Sequence, residues 1–450
     1  MRSLFTLTLI AIFMVAAFME RFHGLLLYWW FAIFRPQDWI WWDVSSLRLP
    51  LMVAALFIIP CFFQGIWPRL KDSTSILIGL FLFFALYAYF TVGCGPIGDK
   101  QMEHFVKVIL IILLTDRIVN TKKQLFLLIV TVGFSLCYHS ADFGIYSLMQ
   151  GGSVLYDNAS LTGTFSGSNA FALGTATLIF FMFFAVQGLN LASLDITPNW
   201  SKEGIGKKAL QAIGFVLIIG SIYLVISIFS RGSALAMACG MLLWVLLQQN
   251  RIKLIMIGIP VLIIGLLVAP LPEGYAERMQ TVFAEDEERD NSAESRPHFW
   301  NTALLMLDTY SMGVGPGCFK AYYDEFDITQ GSYGSMRSVH SSHFQIISEI
   351  GYMGIIIWVS LIVVTYWKLW AVRKKALKEK VFDDTQKYYL GLSNAFLCAL
   401  TTFWLGGSFY ELAHAEIIWL IFIVAVIAKR LQENEGNSEI EIDTLDKNEN

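Results

Sequence analysis

LQAIGFVLIIGSIYLVISIF, residues 210–229, runs for its whole length without one charged side chain. At about 1.5 Å per residue, a helix of this size crosses the ~30 Å hydrocarbon layer of a bilayer. A helix also satisfies its own backbone polar groups where no water is present to do so. Comparable stretches stand near 4–19, 24–40, 49–67, 75–92, 104–118, 124–140, 170–189, 233–249, 252–270, 343–369, 388–406 and 412–428. Those at 24–40 and 104–118 are the weakest, so the expected count is 12 or 13. The first run, behind Met1-Arg2, is built like a signal peptide. It heads a long series of similar segments and is read as the first of them. The expected fold is all-α, a polytopic membrane protein of about 12–13 transmembrane helices.

Composition agrees. Of 450 residues, 56% are hydrophobic and 15% charged, against about 25% charged in soluble domains. The 35 Phe, 17 Tyr and 14 Trp suit bilayer interiors and interfaces. A net charge of −4 argues against nucleic acid as a partner. A soluble enzyme and a disordered regulator are excluded on the same grounds; the bilayer itself is the partner implied. Cys61, Cys137, Cys239 and Cys398 lie in apolar runs and read as small hydrophobes. Cys94 and Cys318 fall in polar connections on one side, which leaves a disulfide open. No CxxC pair occurs, so zinc and redox chemistry are not indicated.

Short-loop cations set the orientation. Arg69/Lys71, Arg117/Lys122/Lys123, Lys202/Lys207/Lys208, Arg251/Lys253 and Arg373/Lys374/Lys375/Lys378 share one side, read as the cytoplasm. The chain then divides into N-terminal helices over 1–140, central helices over 141–270, an outer loop over 271–341, C-terminal helices over 342–428 and a disordered cytoplasmic tail over 429–450. The outer loop carries twelve Asp/Glu and five Lys/Arg. Loops of that length between helices are usually functional or disordered.

Inside the loop, Ser295-Arg296-Pro297 reads as a helix start, with serine as N-cap and proline in the first turn. Phe299, Trp300, Ala303, Leu304 and Leu307 then share one face, an amphipathic helix expected on the membrane surface. Arg296 at the positive end of that helix would suit phosphate oxygens. Gly313-Val314-Gly315-Pro316-Gly317 lacks the Lys-Ser/Thr ending of a phosphate loop and reads as a tight turn. Ser342 with Gln345 fits a capping box, so a helix is expected to run inward through Gly351 and Gly354. His340 stands just before it, where the helix dipole opposes protonation; a neutral imidazole there suits a general base. A structural histidine is the plainer alternative. His343, one turn on, is a weaker candidate for orienting an acceptor. Glu349, two turns in, needs a partner, with His340, Arg231 or another basic group in view. Arg231 opens the 233–249 segment, placed either to snorkel or to bind phosphate. The acidic run Glu285-Asp286-Glu287-Glu288-Arg289-Asp290 reads as a solvated loop rather than a cation site. Asp38 and Asp43 form no Asp-x-Asp pair, which weighs against a metal.

The ordered set SRGSALA (230–236), ERMQTVF (277–283), SAESRPHFW (292–300), GVGPGCF (313–319) and VHSSHFQIISEIGYMG (339–354) resembles the O-antigen ligase/polymerase family. HGLLLYWWFAIFRPQDW (23–39) and LTGTFSGSNAFAL (161–173) are similar to the O-glycosylation ligases associated with exosortase systems. The resemblance implies a glycosyltransferase in the bacterial inner membrane, acting at the periplasmic face without metal or other cofactor, its C-terminus cytoplasmic. The glycan would leave undecaprenyl diphosphate for a hydroxyl on a lipid, protein or glycan acceptor. By the same resemblance His340 is the catalytic residue; Arg231, Arg296 and Arg278 hold the diphosphate; Glu349, His343 and Asn169 support them. The subgroup often has an aromatic residue where His343 stands. A polysaccharide polymerase of the same chemistry is the alternative. A transporter or flippase would need ionisable groups near the midplane and paired broken helices, and the candidates gather at one face instead.

Overall fold

The computed structural model describes residues 2–42, 44–152, 163–194, 205–256, 258, 291–379 and 382–448, and among them every regular element is helical. Six helices are long and apolar enough to cross a membrane, and three shorter apolar helices, Ser3–Met19, Leu49–Phe63 and Arg231–Leu247, accompany them. This is a multi-pass membrane protein. Helices occupy the expected segments, except that most of 252–270 lies outside the described residues.

At the N-terminal end α1 (Arg2–Met19), α2 (Arg21–Ile33) and α3 (Leu49–Phe63) pack on one another. Next come α4 (Ser73–Thr91), α5 (Pro96–Ile118) and α6 (Lys122–Met149). Their starts follow capping chemistry: Asp72 accepts from Thr74 N (2.8 Å), and Thr121 from Gln124 N (3.2 Å). α6 packs on α7 (Ser168–Gly188) and α8 (Ile205–Ser227), while α9 (Arg231–Leu247) packs on α7. Two helices of the long loop follow, α10 (Asn291–Thr309) and α11 (Phe319–Phe326). The chain then forms α12 (Ser342–Lys378), α13 (Asp384–Gly406) and α14 (Glu416–Asn448). Every residue from 412 to 428 is buried. α14 is the axle of the bundle, which is why its apolar residues surround the helix instead of forming a stripe.

Two expected boundaries move. The division at 140/141 falls inside α6, because the polar residues there find partners without ending the helix. His139 Nε2 donates to Phe34 O (2.9 Å), and Ser140 Oγ bonds to Thr175 Oγ1 (2.7 Å). The tail expected to be disordered from 429 is helical as far as Asn448. Arg430 donates to Val119 O (2.6 Å), Gln432 to Val372 O (3.1 Å), and Tyr389 OH to Glu435 (3.1 Å). Those anchors extend a helix that composition alone leaves unsupported.

The first helix of the loop also differs from expectation. α10 begins at Asn291, so Pro297 lies inside it and Arg296 is not at its positive end. Most of its apolar face is covered by protein, with Leu304 left exposed. Phe299, Ala303 and Met306 are fully buried with Phe319, Tyr323 and Val339 in a small core of their own. Trp300 stacks on Phe344 of α12 with ring planes 5° apart. Burying these rings against protein removes the same apolar area from water that a membrane surface would.

Candidate functional site

The site is organised by a break in α12. Gly351 sits at φ 71°, ψ −159°, in a region open essentially only to glycine. The helix expected to continue through it is interrupted, and the Ser348 and Glu349 carbonyls lose their helical donors. The glycine turn supplies replacements: Val314 N donates to Ser348 O (3.0 Å) and Gly315 N to Glu349 O (2.9 Å). Tyr352 N in turn donates to Ser311 O (3.0 Å). The turn at 313–317 is therefore the missing hydrogen-bond partner of a broken membrane helix, with positive φ at Gly313, Gly315 and Gly317. Cys318 behind it is joined by a disulfide to Cys94, between α4 and α5, and Tyr322 OH donates to Gly93 O (2.9 Å).

The start of α12 departs from the capping box. Ser341 is the N-cap, accepting from Phe344 N (3.4 Å). Ser342 Oγ instead donates to Tyr410 O (2.6 Å) and accepts from Leu412 N (2.9 Å), and Gln345 Oε1 accepts from Ala413 N (3.2 Å). The first turn of α12 is thus stitched to the 407–415 connection between α13 and α14.

His340 precedes this turn at φ 50°, an unfavourable conformation for a residue with a Cβ. Its ring lies 5.8 Å from that of Phe299. Among the described residues neither ring nitrogen has a hydrogen-bond partner. Burial, then the charges of Arg296, Arg337 and Lys320, push its pKa down to about 4. Desolvation and neighbouring cations, rather than the helix dipole, are what oppose protonation here.

Arg296 reaches the same connection from α10. Its guanidinium lies 5.7 Å from the Phe409 ring centre and 6.0 Å from that of Tyr410. Its Nε is buried without a hydrogen-bond partner. Arg231 opens α9 beside the same tyrosine: Tyr410 OH donates to Ser230 Oγ (2.7 Å), which donates to Ser233 Oγ (2.8 Å). A Cβ on Gly232 would come within 3.0 Å of Tyr410 OH. Tyr410 is therefore a hub between the start of α9, through Ser230, the Arg296 guanidinium and the first turn of α12. Arg278 and the acidic run 285–290 lie outside the described residues.

Of the supporting residues, Glu349 takes another basic group, His414, as its partner. It is fully buried, and His414 Nε2 donates to its Oε2 (2.7 Å). His343 does not face a substrate. Its Nδ1 accepts from Trp358 Nε1 (3.2 Å) and its Nε2 donates to Trp404 O (3.1 Å), so both nitrogens are spent inside the protein. Two hydrogen bonds fix its ring as a structural element.

A cavity of about 1130 Å³ opens on His340, Lys320, Glu411, Asn169, His104 and Glu416. It brings His340 and Asn169 onto one surface although 171 residues separate them (340 − 169). Burial pushes the Glu411 carboxyl up to about 7, with Lys320 and the Ser338 hydroxyl acting the other way. Glu411, His414 and Glu416 were missed from sequence because the connection holding them was read as the start of an apolar segment. Three ionisable groups within six residues of such a run were the available signal. Among the described residues, no three or more His, Cys, Asp or Glu side chains are grouped so as to hold a metal ion.

Residues 214–359 match the family model described as O-Antigen ligase. The match takes in Arg231, Arg296, His340, His343 and Glu349, and leaves out Asn169, His104 and the 407–415 connection. No curated protein matches the chain.

Proposed function

We propose that this chain, whose residues 214–359 belong to the O-antigen ligase family, transfers a glycan from undecaprenyl diphosphate to an acceptor hydroxyl at the periplasmic face of the inner membrane. The observation that carries the reading is the placement of a neutral His340 on a large cavity with Lys320, beside Arg296, where among the described residues neither the imidazole nor the arginine Nε has a hydrogen-bond partner. The acceptor oxygen attacks the anomeric carbon as its proton passes to His340. The bond to the diphosphate oxygen breaks with inversion, and undecaprenyl diphosphate leaves. Arg231 and Arg296 suit the diphosphate, since guanidinium keeps its charge and offers paired donors. Arg278 belongs with them by the family motif. Asn169 supports from the cavity wall.

The direct test uses protein in nanodiscs, lipid-linked glycan from the source strain, and membranes of a deletion strain as acceptor. Expected is release of undecaprenyl diphosphate with glycan on the acceptor; glycan left wholly on its lipid would overturn the proposal. Transfer onto a second lipid-linked glycan marks a polymerase, and transfer onto lipid or protein marks a ligase.

The Cys94–Cys318 disulfide supports the periplasmic orientation, because such bonds persist in oxidising compartments. In a variant with the other four cysteines changed to serine, a membrane-impermeant maleimide should label intact spheroplasts only after external reduction. Labelling only after lysis would reverse the orientation, whereas labelling of intact spheroplasts without reductant would keep the orientation and refute the disulfide.

A further inference from the structure

On a wall of the cavity built from outside residues 214–359, three residues from distant parts of the chain meet. Glu416, the first residue of α14, is almost wholly buried, its side chain 5% exposed. Its Oε2 accepts from Thr164 Oγ1 (2.8 Å), and its Oε1 lies 3.4 Å from Nε2 of His104 on α5. The His104 side chain is 42% exposed, and His104, Thr164 and Glu416 all line the cavity that His340 faces. The contact with a carboxylate that is itself held by Thr164 restrains the ring, and its exposed part is left to the cavity. Cations line both ends of the cavity, Lys320 with His340 and Lys100 and Lys107 with His104, but among the described residues only His104 of the two histidines has a carboxylate partner. A diphosphate gains little beside a buried carboxylate, whereas a sugar hydroxyl, which both donates and accepts, fits an imidazole so held.

We propose that His104, braced by Glu416 and Thr164, is an acceptor subsite: its imidazole binds a hydroxyl of the incoming glycan or other polyhydroxylated acceptor and sets which hydroxyl is presented for transfer. The inference rests on the transferase reading above and divides the cavity, with donor phosphates near His340 and Arg296 and acceptor hydroxyls near His104. No charge changes hands at His104; it binds and orients, and the proton of the reacting hydroxyl goes to His340.

The experiment titrates deletion-strain membranes as acceptor at fixed lipid-linked donor, and separately measures binding of undecaprenyl diphosphate. His104→Ala should raise the acceptor needed for half-maximal transfer about tenfold, the scale of one lost hydrogen bond. Binding of undecaprenyl diphosphate should stay within about twofold of wild type, since the proposal leaves the donor side intact. His104→Gln, which keeps a side-chain acceptor and donor, should recover part of the loss, and Glu416→Gln should fall between. An unchanged acceptor requirement in His104→Ala overturns the proposal. So does an equal loss of undecaprenyl diphosphate binding in both His104 variants, which would mark a general disturbance of the cavity. Absence of transfer by the wild-type protein would instead fail the transferase reading itself.

Discussion

Replacing His340 by Ala lowers glycan transfer by about 10²–10⁴-fold, the usual worth of a positioned base. Binding of undecaprenyl diphosphate should stay near wild type, because the proposal places that group on the arginines rather than on the imidazole. Direct measurement of both quantities separates the roles. Transfer within a fewfold of wild type, in a correctly inserted protein, would remove His340 from the mechanism. The pH profile gives an independent check. His340 titrates at about 4 because burial and the charges of Arg296, Arg337 and Lys320 oppose its protonation. A base works only when neutral, so kcat/KM at limiting donor should hold down to about pH 4 and fall below it. Arg296→Ala removes one opposing charge, so the pKa rises and the acid limb moves upward. A limb that stays put in that variant would mean another group controls the rate.

Gly351→Ala is expected to destabilise the protein by about 3 kcal/mol or more, combining a backbone region closed to Cβ-bearing residues with a steric conflict. The added Cβ would lie 2.2 Å from Ser311 O and 2.6 Å from Met312 C, backbone atoms of the turn that caps the broken helix. That turn cannot retreat freely, since Val314 N and Gly315 N donate into α12 and Cys318 is tied to Cys94. Gly331→Ala supplies the control: its φ is also positive, at 88°, but nothing lies within 4 Å of the new Cβ. Heating detergent-solubilised variants and following the folded fraction should show a much larger loss for Gly351→Ala. Equal melting of the two variants would mean that the contact with the turn carries no stability.

The parts of this protein legible in its sequence are those set by local chemistry. A charge-free run such as 210–229 has one way to satisfy its backbone in a bilayer, so the helices follow from composition and length. His340 stands next to a helix start and Asn169 inside a motif, which makes both candidates by sequence, and both line the cavity. What long-range pairing decides was not visible. Ser342 and Gln345 have the spacing of a capping box, yet a connection some seventy residues away offered them better partners: Tyr410, Leu412 and Ala413. Glu349 advertised a need for a partner, but only the packing of α14 selected His414. His343 is placed like a functional residue and was claimed by Trp358 and Trp404.

The sequence by itself determined that the chain is a multi-pass helical protein whose outer polar residues are few and grouped. Only the tertiary structure decided which of them share a cavity, because a buried polar group must find a partner and the nearest one in space is seldom the nearest in sequence. Gly351 shows both halves of that division. A glycine in a membrane helix reads as helix, and it became a break because a turn from the outer loop, held by a distant cysteine, was there to accept and donate the hydrogen bonds the helix gave up.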